Sequence, residues 1–121
     1  MTLKSFALAV ALLAAVPAYA HEAKGPHGGR LADAGPYHAE LVAKDKAIEI
    51  FLMGESDKPV DPKGFKGVAI FSLGGKAERI TLVPSEKGAL SGEAATAFPP
   101  NPKGAVQLTA PDGKTATARF N

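Results

Sequence analysis

An all-β fold is the reading that three features of the sequence support. After residue 30 the chain breaks into short runs of five to nine residues, separated by Gly, Pro and Asp turn formers at roughly ten-residue spacing. Within these runs apolar residues alternate with period two, as in Ala-Ile-Glu-Ile-Phe-Leu-Met over 47–53. A helical period near 3.6 is not found in the same windows. The expected architecture is an antiparallel sandwich or barrel of seven to eight short strands over residues 30–121, following a cleaved signal peptide.

The elements follow in order. Residues 1–20 read as a secretory signal: Lys4 supplies charge beside the terminal amine, Phe6 to Val16 is unbrokenly apolar, and Pro17 and Ala18-Tyr19-Ala20 close the segment. The apolar run is too short to cross a bilayer, which takes about 20 residues. No stable membrane anchor is expected, and with no cysteine to acylate, no lipoprotein. Cleavage after Ala20 makes His21 the new N-terminus, in a periplasmic setting. Residues 21–29 are polar and Gly-rich and are expected to be mobile. Strands are expected at 30–32, 37–43, 47–53, 66–73, 76–83, 89–98, 105–110 and 115–120. A turn is expected over 33–36, Lys44-Asp45-Lys46 should turn tightly, and a loop should run from Gly54 to Gly64. Gly74-Gly75 and Pro111-Asp112-Gly113 mark two hairpins.

Composition excludes several classes. The 14 Lys and Arg face 12 Asp and Glu, and one of the basic residues, Lys4, lies in the signal segment. So even a balance argues against a nucleic-acid or anionic-membrane binder. Exported domains of this size often rely on disulfides. This chain has no cysteine, so its core must hold it, with or without a metal or partner. No nucleophilic constellation is visible: Ser56, Ser72, Ser85 and Ser91 have no histidine near them in sequence. Glu40 is the one candidate base for zinc-assisted hydrolysis. The chain is therefore read as a non-enzyme.

Chemistry concentrates near the start. All three histidines, His21, His27 and His38, fall within residues 21–38, and imidazole is the commonest metal ligand among side chains. His38 and Glu40, two apart on a strand, point to one face. Folding at 33–36 brings 27–30 alongside 38–41, which would set His27 beside His38 across the pair. Gly28 and Gly29 would leave room for a ligand to approach the backbone. His21, once freed, offers an amine and an imidazole with ordinary pKa values of about 7.7–8.0 and about 6.5. The candidate ligands are thus His27, His38, Glu40 and His21, a nitrogen-rich set that suits Cu(II), Zn(II) or Ni(II). Cu(I) is disfavoured on this reading, because the exported part holds only one methionine, Met53. Plainer roles stay open: a solvated histidine in a Gly-rich tail, a His38 that only bonds a neighbouring strand, a Glu40 that is only a surface charge. Tyr37 reads as a packing residue. Glu55, Asp57 and Asp61 lack the spacing of a calcium loop.

Gly25-Pro-His-Gly-Gly-Arg-Leu31, Tyr37-His-Ala-Glu-Leu-Val42, Lys58-Pro-Val60 and Gly74-Gly-Lys76 resemble segments in the N-terminal regions of periplasmic adaptor subunits of heavy-metal efflux pumps. Those pumps are of the cobalt–zinc–cadmium and copper–silver type. The resemblance covers about residues 25–110, and its specific part is the His-Gly-Gly and Tyr-His-x-Glu-Leu-Val pieces. It implies a periplasmic β-domain that handles metal in homeostasis, resistance or efflux, with His27, His38 and Glu40 at the matching positions. This chain departs from the family in having no helical hairpin and no lipoyl-like domain. It would be a stand-alone module whose partners are a metal ion and an efflux or envelope protein. Copper-resistance proteins with an N-terminal histidine are a looser analogy, by architecture alone. The alternative to a metal-binding protein is a metal-independent interaction module of the cell envelope.

Overall fold

A computed structural model describes residues 24–121. The signal segment and His21 lie outside the described residues. The fold is all-β, with β1 at Arg30–Ala34, β2 at Tyr37–Lys44, β3 at Ala47–Met53 and β4 at Pro59–Val60. Then come β5 at Lys66–Leu73, β6 at Lys76–Pro84, β7 at Leu90–Glu93, β8 at Lys103–Thr109 and β9 at Thr115–Phe120. The one helical element among the described residues is a single 3₁₀ turn, Glu55–Asp57. Seven of the expected strands lie within a few residues of their expected bounds. The 89–98 run pairs only over Leu90–Glu93, and β4 is a two-residue addition inside the expected loop, antiparallel to Leu52 and Met53 of β3.

The sheet is antiparallel throughout, in the order β1-β2-β3-β7-β6-β5-β8-β9. Local turn chemistry sets much of this. Gly74 and Gly75 take φ of 60° and 82°, the two positive values a type I′ hairpin needs to match strand twist. In the β8–β9 turn, the Gly113 N–H donates to the Ala110 carbonyl at 2.9 Å, and the Lys114 N–H to the Asp112 carboxylate at 2.9 Å.

Alternation then decides what is inside. Ile48, Ile50 and Leu52 of β3 are buried together with Leu41, Phe71, Ile80, Leu82, Leu90, Val106, Leu108 and Phe120 in one cluster. Burying each large apolar side chain contributes about 1.5–3 kcal/mol, which is how a chain without cysteine holds together. Phe71 meets Phe98 edge-on at 5.8 Å and Phe120 at 6.2 Å.

The sheet curls until its end strands, β1 and β9, lie side by side, so that it nearly closes into a barrel. Arg30 fastens this seam. Its guanidinium donates to the carbonyl oxygens of Pro102 at 2.7 Å and Asn121 at 2.8 Å and stands 5.7 Å from the Phe120 ring. The planar fork of arginine suits two acceptors at once.

Candidate functional site

Because β2 and β3 turn one face to the core, their other face carries the candidate residues. Ala39 and Leu41 point inward with Ile50 and Leu52, so His38, Glu40 and Val42 point outward beside Phe51 and Met53. The register places Glu40 opposite Leu31 on one side and Phe51 on the other, and His38 opposite Asp33 and Met53.

Glu40 faces outward yet is completely buried. What buries it is the segment 24–29, which folds back over the sheet. Lys24 bridges to Arg30, the Gly25 N–H donates to the Gly29 carbonyl at 2.8 Å, and the Gly28 N–H to the Gly25 carbonyl at 2.9 Å. This strap delivers three donors to the carboxylate. Oε2 accepts from the backbone N–H of His27 and of Gly29, each at 2.8 Å, and Oε1 lies 2.8 Å from His27 Nδ1. A buried carboxylate needs such donors, since an uncompensated charge there costs several kcal/mol. The glycines make the approach possible. A Cβ on Gly25 would overlap the Glu40 carboxyl, and one on Gly29 would overlap the Leu41 carbonyl oxygen and come within 2.8 Å of Glu40 Cγ.

The same contacts fix the imidazole of His27. An ionised carboxylate only accepts, so Nδ1 carries the proton and donates, and in the neutral ring Nε2 keeps its lone pair. The ring stacks on Phe51, with centroids 3.7 Å apart and planes within 10°, while the side chain is 49 % exposed. His38 repeats the pattern in the open. Its Nδ1 lies 2.7 Å from Asp33 Oδ1, with the two side chains 47 % and 86 % exposed, so solvent screens the pair and its contribution to stability is small.

Two expectations are corrected here. His27 does not sit beside His38 across the β1–β2 pair, because β1 begins at Arg30 and His27 lies in the strap folded over Glu40. The β1–β2 turn is two residues, Gly35-Pro36, rather than four. Gly35 has φ 58° and proline cannot follow with a second positive value, which leaves the type II′ geometry. That shorter turn places Asp33 opposite His38, where a four-residue turn would place Leu31. Second, residues 24–29, read as part of a mobile segment, are hydrogen-bonded onto the sheet. Gly29 serves this close approach, and Gly28 supplies the positive φ of 75° that turns the strap. Among the described residues no three His, Asp, Glu or Cys side chains converge on one point. His27 and His38 instead stand as two separate, carboxylate-backed imidazoles. Sequence reasoning missed the burial of Glu40 and the part played by Phe51. The signal for both was the density of glycine at 25, 28 and 29, next to a strand with a carboxylate on its polar face.

No family model, curated protein or solved structure matches this chain. The site is therefore read from its own geometry.

Proposed function

We propose that this protein is exported to the periplasm and there binds a divalent transition metal ion, Cu(II), Zn(II) or Ni(II), serving metal homeostasis, resistance or efflux. The observation that carries the reading is the tie between His27 Nδ1 and the buried Glu40 carboxylate, 2.8 Å long. Metal-binding histidines characteristically donate their second ring nitrogen to a carboxylate, which fixes the tautomer and raises the basicity of the other nitrogen. His27 meets that condition through Nδ1, and His38 Nδ1 lies 2.7 Å from the exposed Asp33 carboxylate. On this reading Nε2 of each is the ligand atom, Glu40 and Asp33 are positioning residues, and the His21 amine and imidazole add further donors. Binding is reversible coordination, and it weakens as pH falls because protons compete for the same lone pairs.

Calorimetric titration of the exported protein with each ion, at about pH 7.5 where free imidazole is neutral, tests this. Stoichiometric binding in the wild type that is abolished in the His27→Ala, His38→Ala double variant is the expected result. Absence of heat with all three ions would sink it.

A second reading, a metal-independent interaction module of the cell envelope, draws on the outer face of β5 and β6. There Ile70 is 47 % and Val83 57 % exposed. A complex with an envelope protein that forms equally well in chelator favours this reading.

A further inference from the structure

The outer face of β2 and β3 holds one more potential ligand, Met53. Three observations single it out. It is the direct cross-strand partner of His38, so the two Cβ atoms stand about 4.5–5.5 Å apart on one face. It is only 5 % exposed, yet it does not belong to the core cluster that takes in Ile48, Ile50 and Leu52 of the same strand. Its alternation phase is that of Phe51, the residue on which His27 stacks, so it lies on the outer face of the sheet. The imidazole across from it has Nδ1 beside Asp33 at 2.7 Å, which leaves the Nε2 lone pair for a metal.

We infer that His38 Nε2 and Met53 Sδ form a two-ligand site for monovalent copper. The inference rests on the metal-binding reading of this sheet face and goes beyond it, because it adds a monovalent ion to the divalent ones proposed there. A thioether is a soft donor and favours Cu(I), while imidazole accepts copper in either state. Zn(II) and Ni(II) gain little from the sulfur. Two donors suffice for Cu(I), a closed-shell ion that is stable at low coordination number, so His27 need not converge on the same point. The single methionine of the exported chain, which on sequence grounds argues against Cu(I), is placed by the register where one is enough.

The test compares wild type with Met53→Leu, a swap that nearly conserves volume. Cu(I) affinity is read anaerobically by competition with a chromophoric chelator, Zn(II) affinity by calorimetry, and the copper environment by K-edge absorption on the wild type. The expected result is a sulfur neighbour of copper in the wild type. With it goes a loss of Cu(I) affinity of about tenfold or more in Met53→Leu, with Zn(II) binding unchanged. Divalent binding through the histidines, with no sulfur at copper and equal Cu(I) affinity in both proteins, overturns the thioether site alone. A parallel loss of Zn(II) and Cu(I) in Met53→Leu overturns it too, since Met53 would then act through packing. Failure of the wild type to bind any of these ions overturns this inference and the metal-binding reading together.

Discussion

Replacing Glu40 by glutamine separates what this residue does for the fold from what it does for His27. Glutamine has the same shape, so it fits under Gly25 and Gly29 where no added atom would. Its amide oxygen can keep both backbone bonds now made to Oε2, from His27 and Gly29. Those bonds change from charge-assisted to neutral, a loss of about 1 kcal/mol each. Part of this is offset because an amide costs less to desolvate than a carboxylate. A net destabilisation of about 1–2 kcal/mol corresponds to a fall in Tm of roughly 5–10 °C for a domain of this size. The third bond behaves differently. The amide NH₂ is a donor and cannot face an Nδ1–H, so the ring must present Nδ1 as acceptor and move its proton to Nε2. That removes the lone pair from the atom assigned to the metal. Metal affinity at His27 should fall by about 10–100-fold, the usual cost of losing such a carboxylate. Thermal unfolding followed by circular dichroism gives the first quantity, and calorimetry in a His38→Ala background gives the second. Full metal affinity in Glu40→Gln, in a protein shown to be folded, would refute the positioning role.

Three further substitutions address the scaffold. Gly29→Ala drives a methyl group into the Leu41 carbonyl and to 2.9 Å from Val42 Cγ2 and should cost about 1–3 kcal/mol in urea denaturation. Gly28→Ala, at φ 75° but in open space, should cost about 1–2 kcal/mol from backbone strain alone. Arg30→Lys keeps the charge but cannot span Pro102 and Asn121 with one planar fork. It should lose about 1.5–3 kcal/mol, seen as faster amide exchange in β1 and β9, while β5 and β6 stay protected.

The strands were readable because their signals are local. Gly74-Gly75 requires a particular turn, and Ile48, Ile50 and Leu52 announce a buried face by alternation alone. The 89–98 run was over-read, since its apolar residues continue beyond the four that pair. The site was harder to read because it is made by contacts between segments. Glu40 looks like any carboxylate on a polar strand face, and only the folding back of residues 24–29 turns that face into an interior. Register was the other obstacle. Asp33-Ala-Gly-Pro36 reads equally as a four-residue or a two-residue turn, and the difference exchanges the cross-strand partner of His38. Met53 illustrates the same point. Composition counts it as one methionine, and the ladder places it opposite a histidine.

Glu40 thus joins two processes that would otherwise be independent. The bonds that close the strap and the bond that orients the imidazole end on the same carboxylate. Coordination at His27 Nε2 draws electron density from the ring and makes Nδ1–H a stronger donor, which tightens the contact to Oε1. A metal bound to the folded chain should therefore stabilise the strap in particular. The global effect is set by mass action, about 2.7 kcal/mol when free metal stands at a hundred times Kd, or a rise in Tm of roughly 10 °C or more. The local effect is the diagnostic one. Amide exchange of His27 and Gly29 should slow on adding metal by more than that of the core strands, and in Glu40→Gln this extra protection should vanish even at saturating metal. Equal protection across strap and core would mean that the metal, wherever it binds, does not act through Glu40.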